Sequence, residues 1–210
     1  MTTDQLIIFT RYPTVGQVKT RLITALGAVG AAELHRQMAV HTLAQVQELQ
    51  KNHPLMVTIY FAGQQHRSKM VDWLGAEWQY QQQVEGDLGV RMVKAFSDTL
   101  QLGMRKVVII GTDCPSLTAG IIQDSFKQLS DHDLVLGPAI DGGYYLIGLR
   151  SIIPELFIDI PWSTDVVLSK TMEIAQQQHL STALLPTLAD VDRPADLSVW
   201  EFYAGRHESQ

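Results

Sequence analysis

Short, wholly apolar segments rich in β-branched residues alternate along this chain with longer segments of helical periodicity, and this alternation restricts the possible folds more than any other feature. Residues 6–9 (LIIF) and 107–110 (VVII) contain no polar side chain. A strand with one face in water alternates polar and apolar residues, so a continuously apolar strand is covered on both faces. The pattern predicts an α/β fold in which helices flank a mostly parallel sheet.

The predicted elements follow this alternation. Strands are predicted at 6–10, 56–61, 106–111, 134–138, 144–149 and 183–185. Helices are predicted at 30–50, 89–102 and 118–129, where apolar residues recur at helical spacing, and a last helix begins at Pro194. Gly103 is placed to end the second helix, and Thr118 is placed to cap the third. Because ligands collect at the carboxyl ends of strands in such sheets, the residues after each apolar run are the candidate functional residues.

The composition favours one cytoplasmic domain spanning residues 1–210. A chain of 210 residues with 46% apolar residues can bury one sizeable core but hardly two. No apolar run reaches the ~18–20 residues of a membrane span, and no basic leader precedes the first apolar run. The single cysteine, Cys114, fits a reducing compartment. A net charge of −6 without any basic run argues against nucleic acid as a partner.

A basic loop follows the first predicted strand. Arg11, Lys19 and Arg21 fall close together around Pro13 and Gly16, and the last two cations stand where the next helix would begin. Two cations and the free amides of a helix start favour a phosphate site. Neither the GxxxxGK[ST] nor the GxGxxG spacing is present. The alternative is an ordinary solvated basic loop.

An acidic residue follows the strand at 106–111. Asp113 stands in a turn restricted by proline, well placed to bind a hard cation through oxygen. Magnesium needs only one or two protein carboxylates when phosphates supply further oxygens, so Asp113 is a candidate ligand of Mg²⁺ or Mn²⁺. The alternative is that Asp113 caps the helix that opens near Ser116 or Thr118. Its neighbour Cys114 is more simply a buried thiol than a nucleophile.

Two glycines follow the next strand. Gly142 and Gly143 allow a sharp turn or a close approach of a ligand, and Asp141 can accept hydroxyl hydrogen bonds or act as a base. A plain hairpin turn explains the same three residues. Trp162 is a candidate aromatic wall for an acceptor, with a helix start capped by Ser163 as the alternative.

Two further segments carry candidate site residues. Gly86, Asp87 and Arg91 stand at the start of the helix at 89–102. Asp190 and Asp192 lie two positions apart, so on an extended chain their side chains point the same way, and either is a candidate to complete a metal site with Asp113. The alternative for Asp192 is that it caps the final helix.

Six segments together resemble a known family. YPTVGQVKTRL at 12–22, GDLGVRM at 86–92, GTDCPSL at 111–117 and GPAIDGGYYLIGL at 137–149 stand in this order, followed by PWST at 161–164 and DVDRPADL at 190–197. The set resembles bacterial glycosyltransferase-like proteins of the nucleotide-diphospho-sugar transferase superfamily, some of them assigned to arsenosugar biosynthesis. It is more distantly similar to nucleotidyltransferases such as phospholactate guanylyltransferase. The resemblance covers nearly the whole chain and implies a single-domain GT-A fold.

The resemblance also implies roles for the residues above. Arg11, Lys19 and Arg21 would contact phosphates, and Gly86, Asp87 and Arg91 would lie near the nucleoside. Asp113 would hold the metal, and the Asp141–Gly143 turn would border the transferred or acceptor group. The chain departs from the family pattern at Thr112, because many GT-A enzymes have Asp-x-Asp at the strand end where this chain has a single Asp. This departure favours a second metal ligand from Asp190 or Asp192.

These residues predict a metal-dependent transferase that moves a sugar from a nucleotide-sugar donor to a small-molecule acceptor. Lys19 and a metal held by Asp113 would stabilise the leaving diphosphate, and Asp141 is the candidate base. A nucleotidyltransferase that releases pyrophosphate would use the same residues. A third hypothesis is a nucleotide-binding protein without catalysis. The sequence does not define the nucleobase, the sugar, the acceptor or the oligomeric state.

Overall fold

The computed structural model describes residues 4–63 and 67–204. In chain order these residues form β1 Asp4–Arg11, α1 Ile23–Gln50, β2 Met56–Ala62, α2 Arg67–Leu74, β3 Gln79–Gln82, α3 Leu88–Gln101, β4 Lys106–Ile110, α4 Ala119–Gln128, β5 Leu134–Pro138, β6 Tyr144–Leu149, α5 Val167–Gln177, β7 Thr182–Leu184 and α6 Leu197–Ala204. Short 3₁₀ turns occupy Thr20–Leu22, Pro154–Phe157 and Pro194–Asp196.

The seven strands form one sheet in the order β3-β2-β1-β4-β6-β5-β7. All neighbouring pairs are parallel except the two that involve β6, which runs against both β4 and β5. Six strands therefore point the same way, and their carboxyl ends meet at one edge. The predicted α/β class with a mostly parallel, helix-flanked sheet is confirmed.

Helices cover both faces of the sheet. The apolar side chains of α1, α2 and α4 pack on one face, and those of α3 and α5 pack on the other. Alternate residues of one strand pack into the cores on the two faces of the sheet. Val108 of β4 lies in the first core, and Val107 lies in the second. The continuous apolar run is thus used on both faces, as expected for a covered strand. α6 lies against α1, where Trp200 meets a third, smaller core.

The structure contains three elements that the sequence pattern did not reveal. The strand β3 has the sequence QYQQ, and only Tyr80 is buried in it. The helix α2 has only eight residues, and the helix α5 ends in two glutamines. The first helix also begins earlier than residue 30, because a kink at Gly27 (φ 69°) joins a short preceding turn to the predicted segment. Each element that was not predicted is short or polar, and its burial depends on its neighbours in the fold.

The candidate residues lie at the carboxyl edge of the sheet. β1, β4, β5 and β7 lead at this edge into the loops that carry Lys19, Asp113, Asp141 and Asp190. The last of these loops is joined to its neighbour by a bridge between Ala139 and Leu188. Across residues 4–63 and 67–204, no helix is long and apolar enough to cross a membrane.

Candidate functional site at the carboxyl edge of the sheet

A cavity of about 510 Å³ opens at this edge. It is lined by residues from the ends of several strands and from the first turn of α3. The predicted site residues on its wall are Arg11, Arg21, Arg91, Asp113, Asp141, Gly143, Trp162, Asp190 and Asp192. Loops far apart in sequence therefore converge on one space, of the size that small-molecule sites commonly have.

Lys19 and Asp113 form an ion pair beside this cavity, whose wall includes Asp113 but not Lys19. The Nζ atom of Lys19 lies 2.7 Å from Oδ1 of Asp113 and donates a second hydrogen bond to the Val191 carbonyl at 2.6 Å. The Lys19 side chain is 5% exposed, whereas that of Asp113 is 52% exposed. The cation is thus enclosed, whereas the half-exposed carboxylate lines the cavity.

The charge on Asp113 is stabilised by this pairing. Burial is the largest influence and works to raise the pKa of the carboxyl group, but the charge and hydrogen bond of Lys19 and the positive charge of His35 oppose it. The positive charge of Arg11 acts in the same direction. The net pKa is lowered, so Asp113 is ionised at neutral pH.

Three carboxylates gather near Cys114. Burial raises the pKa of the thiol, and the charges of Asp113, Asp190 and Asp141 raise it further. Burial and the neighbouring Asp141 also raise the pKa of Asp190. Cys114 is buried and un-ionised, which confirms the prediction of a buried thiol.

Asp192 is held by Arg21 instead of capping the final helix. Arg21 forms an ion pair with Oδ2 of Asp192. The side chain that accepts hydrogen bonds at this helix start is Asp196, from the backbone amides of Asp192 (3.1 Å) and Arg193 (2.7 Å). The alternative that Asp192 is the cap is therefore wrong. The alternative that Asp113 caps the next helix is also wrong, because Thr118 caps α4.

The acidic side of the cavity has the donors that a hard cation prefers. Among the described residues, no group of three Asp, Glu, His or Cys side chains is close enough to hold a metal alone. Magnesium and manganese need only one or two protein carboxylates when phosphate and water complete the shell. Asp113 and Asp190 provide such oxygens on one cavity wall. This donor set fits a cation shared with a phosphate ligand and does not fit a metal held by protein groups alone.

The segment at 86–91 is arranged around a helix start. Asp87 accepts a hydrogen bond from the amide of Val90 at 2.9 Å and caps α3. Nε of Arg91 donates to the Gly86 carbonyl at 2.9 Å, and Nη1 lies 3.5 Å from Oε1 of Gln83. Of the predicted residues here, only Arg91 lines the cavity. Gly86 and Asp87 act through the local backbone.

Gln83 is a cavity residue that the sequence did not reveal. Its amide nitrogen donates to the carbonyls of Tyr60 (2.8 Å) and Thr10 (3.4 Å). It therefore ties the ends of three adjacent strands together beside Arg91. No sequence signal pointed to it, because β3 itself was not recognised.

The Asp141–Gly143 segment forms the turn between β5 and β6. Oδ1 of Asp141 accepts a hydrogen bond from the amide of Gly143 at 2.9 Å, so the hairpin alternative is correct. The two interpretations are compatible, because Asp141 and Gly143 still face the cavity. Gly142 has φ +88°, and a Cβ there would stand 2.1 Å from the Asp165 carbonyl oxygen. Only glycine suits this position.

Trp162 also lines the cavity. Its ring meets Tyr144 edge to face, with centroids 6.4 Å apart. The helix α5 begins at Val167, so Ser163 does not cap it and that alternative is wrong. Gly89 is a second residue that the sequence did not reveal: a Cβ there would stand 2.5 Å from the Phe157 carbonyl and 3.0 Å from the indole of Trp162. α3 and the indole can be this close only because residue 89 has no side chain.

The basic loop is shaped by unusual backbone angles. Gly16 adopts φ +78°, and Lys19 adopts the left-handed conformation with φ 46° and ψ 42°. Gly16 is exposed and does not line the cavity, so it shapes the loop and nothing more. The left-handed angle at Lys19 is uncommon for a residue with a side chain. With this backbone conformation, Lys19 stands just before the 3₁₀ turn Thr20–Leu22 and its ammonium group reaches Asp113.

Comparisons with known proteins place the chain in a family. The family described as "Uncharacterized protein conserved in bacteria (DUF2064)" matches residues 42–164. The chain belongs to this family. A comparison with curated proteins finds no match.

Solved structures share the fold. A protein from Desulfovibrio desulfuricans G20, assigned as a nucleotide-diphospho-sugar transferase, is 32% identical, with a TM-score of 0.84 over 92% of this chain and 84% of that one. Two others are similar in fold alone. They are 4-diphosphocytidyl-2C-methyl-D-erythritol synthase from Anaerococcus prevotii DSM 20548 (9% identity, TM-score 0.63, 98% and 96% covered) and Rv0371C from Mycobacterium tuberculosis H37Rv in complex with manganese (10% identity, TM-score 0.53, 96% and 98% covered). The predicted nucleotide-diphospho-sugar transferase fold is thereby confirmed.

The DUF2064 match covers part of the cavity wall. It includes Asp113, Asp141 and Trp162, whereas Lys19 precedes it and Asp190 follows it. The structure brings these flanking residues to the family segment, since Lys19 binds Asp113 and the amide of Val191 donates to the Asp113 carbonyl at 2.9 Å. The site is therefore assembled from the whole described chain.

His35 supports the first loop of this site and provides a test by pH. Its Nε2 lies 3.0 Å from the Arg11 carbonyl oxygen, and its side chain is buried. The pKa of His35 is lowered, because its burial and the charges of Lys19 and Arg11 outweigh the opposing effects of the hydrogen bond to the Arg11 carbonyl and of the Asp113 charge. A lowered folded-state pKa gives stability that is complete above the unfolded pKa and is lost as the pH falls. We expect the free energy of unfolding to decrease below about pH 6.5, and to decrease less in His35→Gln.

Urea unfolding curves across that range measure this effect. His179→Gln, at an exposed position, is the matched control and should follow the wild-type protein. The same pH dependence in His35→Gln as in the wild-type protein would contradict the assignment.

Proposed function

We propose that this protein is a metal-dependent transferase that binds a nucleotide-sugar donor in the cavity and moves the sugar to a small-molecule acceptor. The observation that carries the proposal is the convergence of Arg11, Asp113 and Asp190 from distant parts of the chain on one cavity, with Lys19 paired to Asp113 beside it. Cations and carboxylates in one space suit a metal-bound diphosphate. The 32% identical structural relative, assigned as a nucleotide-diphospho-sugar transferase, supports the same chemistry.

The cavity wall suggests where the donor lies. Arg11 and Arg21 would contact the phosphates together with Lys19, in the loop that Gly16 shapes. The nucleoside would lie toward Arg91 and the segment of Gly86 and Asp87, which positions that arginine. Gln83 holds Arg91 from the other side and fixes the orientation of its guanidinium.

A diphosphate leaving group concentrates negative charge, and this is the energetic problem that the site addresses. Unit charges ~4 Å apart interact by ~4 kcal/mol at an effective dielectric of ~20. Lys19 supplies one compensating charge from an enclosed position. Asp113, with Asp190 or Asp192, would hold Mg²⁺ or Mn²⁺; the bound cation would neutralise the developing charge. The distant fold relative in complex with manganese is consistent with this assignment.

The acceptor would lie on the opposite side, between the β5–β6 turn and Trp162. Asp141 is the proposed base for the acceptor hydroxyl, because its carboxylate faces the cavity and is fixed by the Gly143 amide. Gly142 and Gly143 leave room beside it, and Trp162 supplies an apolar wall. The link to arsenosugar biosynthesis belongs to this part of the proposal, since it concerns the acceptor. We also propose that the protein acts as a single domain in the cytoplasm.

A thermal-shift screen tests the proposal. Nucleotides and nucleotide-sugars are added with and without Mg²⁺ or Mn²⁺. A ligand at 100 times its dissociation constant should increase the free energy of unfolding by about 2.7 kcal/mol, and we expect this only when the metal is present. No stabilisation by any nucleotide would contradict the proposal. Stabilisation without metal or turnover would indicate a non-catalytic nucleotide-binding protein.

The second candidate is a nucleotidyltransferase that joins a nucleoside triphosphate to a phosphorylated small molecule. Its support is that the same fold occurs in the 4-diphosphocytidyl-2C-methyl-D-erythritol synthase. Lys19 and Arg21 would then stabilise the reacting α-phosphate. Release of a nucleoside diphosphate would identify sugar transfer, and release of pyrophosphate would identify the second candidate.

A further inference from the structure

Lys19 differs from the other lysines in ion pairs of the described chain. Three other lysines form ion pairs with a residue three or four positions away: Lys51, Lys94 and Lys170. Their side chains are 67%, 53% and 51% exposed. Such exposed pairs contribute little. Lys19 is 5% exposed and reaches a residue on a different strand end.

The position of the Lys19 ammonium is fixed from several sides. It has two acceptors, Oδ1 of Asp113 and the carbonyl of Val191, at 2.7 and 2.6 Å. Val191 is fully buried, and its own amide donates to the Asp113 carbonyl. The carbonyl of Lys19 in turn accepts from the Leu22 amide at 2.8 Å. The ammonium thus lies in a site formed by the two chain segments that would also supply the metal ligands.

From this geometry we infer that Lys19 is the internal counter-ion of Asp113 and prevents free divalent cations from binding there. The inference rests on the proposed function, in which Asp113 is a metal ligand. A cation that approaches Asp113 meets a carboxylate whose charge is already compensated and an ammonium that repels it. A phosphate ligand changes this balance, because its negative charge offsets the repulsion between the ammonium group and the incoming cation. Asp113 therefore accepts the metal as a metal–nucleotide complex and not as the free ion.

Manganese binding to the nucleotide-free protein tests the inference. The free Mn²⁺ concentration is followed by electron paramagnetic resonance during a titration. We expect wild-type protein to bind Mn²⁺ weakly and Lys19→Met, which keeps the chain length and removes the charge, to bind it at least about tenfold more tightly. In the double variant Lys19→Met with Asp113→Asn, the gain should disappear.

Lys106→Met is the matched control. Lys106 also donates to a backbone carbonyl, that of Phe126 at 2.9 Å, but lies at the opposite end of β4. Its substitution changes the net charge equally and should leave Mn²⁺ affinity unchanged. Circular dichroism checks the fold of each variant, and Lys19→Gln replaces Lys19→Met if the latter does not fold.

The outcomes separate this inference from the proposed function. Equal Mn²⁺ affinity in wild-type protein and the Lys19 variant would overturn the counter-ion role of Lys19. A gain in affinity that persists in the double variant would also overturn it. No nucleotide is present in the titration, so failure of the nucleotide screen leaves this result interpretable. Conversely, tight Mn²⁺ binding by wild-type protein would overturn the counter-ion role while leaving a metal-dependent transferase intact.

Discussion

Asp113→Asn should abolish metal-dependent nucleotide binding and transferase activity. The carboxylate is the only acidic group at the end of β4, and it lines the cavity while Lys19 binds its Oδ1 atom. Asparagine keeps the shape but removes the charge that a hard cation requires. We expect the metal-dependent part of the nucleotide affinity to fall by about 100-fold or more, since loss of even an outer-shell partner costs about 10–100-fold. Isothermal titration with and without Mg²⁺ measures it.

The same substitution leaves the enclosed Lys19 ammonium without its anion. The cost to the free energy of unfolding should be about 1–3 kcal/mol, because Lys19 keeps the Val191 carbonyl as an acceptor. Asp131→Asn, at an exposed position outside the cavity, is the control and should change neither quantity. Metal-dependent binding that survives in Asp113→Asn would remove Asp113 from the proposed site.

Gly142→Ala should be among the most destabilising single substitutions at the site. Its φ of +88° already disfavours any side chain, and the added Cβ would stand 2.1 Å from the Asp165 carbonyl oxygen. Backbone must move to relieve this contact, and the amide of Leu168, which donates to the Gly142 carbonyl at 2.9 Å, moves with it. We expect a loss of about 2–4 kcal/mol in the free energy of unfolding, the sum of backbone strain and overpacking. Chemical denaturation measures it.

Gly120→Ala is the matched control for this substitution. Gly120 lies in α4, where an added Cβ would meet nothing closer than the Thr118 hydroxyl at 3.8 Å. Alanine favours a helix over glycine by up to about 1 kcal/mol, so this variant should be as stable as the wild-type protein or more stable. If both variants unfold alike, the tight approach of Asp165 to the turn is not a feature of the protein in solution.

The sequence predicted those parts of the fold that local pattern determines. The apolar run at 107–110 is long and uninterrupted, and it forms a central strand whose residues serve both cores. The strand β3 could not be predicted this way, because three of its four residues are glutamines. Its pairing with β2 and the burial of Tyr80 stabilise it, and neither is visible in a window of a few residues.

The candidate site shows the same division. Parallel strands present their carboxyl ends at one edge of a sheet. The sequence therefore predicted that the loops of Lys19 and Asp113 lie close together. Gln83, Gly89 and His35 escaped prediction, since their importance comes from what stands opposite them in space. Gly89 matters because Trp162 and the Phe157 carbonyl approach it, and nothing in the sequence around Gly89 carries that information.

The reversed strand β6 has a consequence for how the protein can diversify. It separates β3, β2, β1 and β4, whose ends carry the proposed phosphate and nucleoside groups, from β5 and β7. The tip of the β5–β6 hairpin, with the exposed Ile140, projects from the second group. Changes at that tip leave the hydrogen-bonded ladder of the first group untouched. Under the proposed function, this tip is therefore the part of the site where a sequence change alters the acceptor side and leaves the donor side intact.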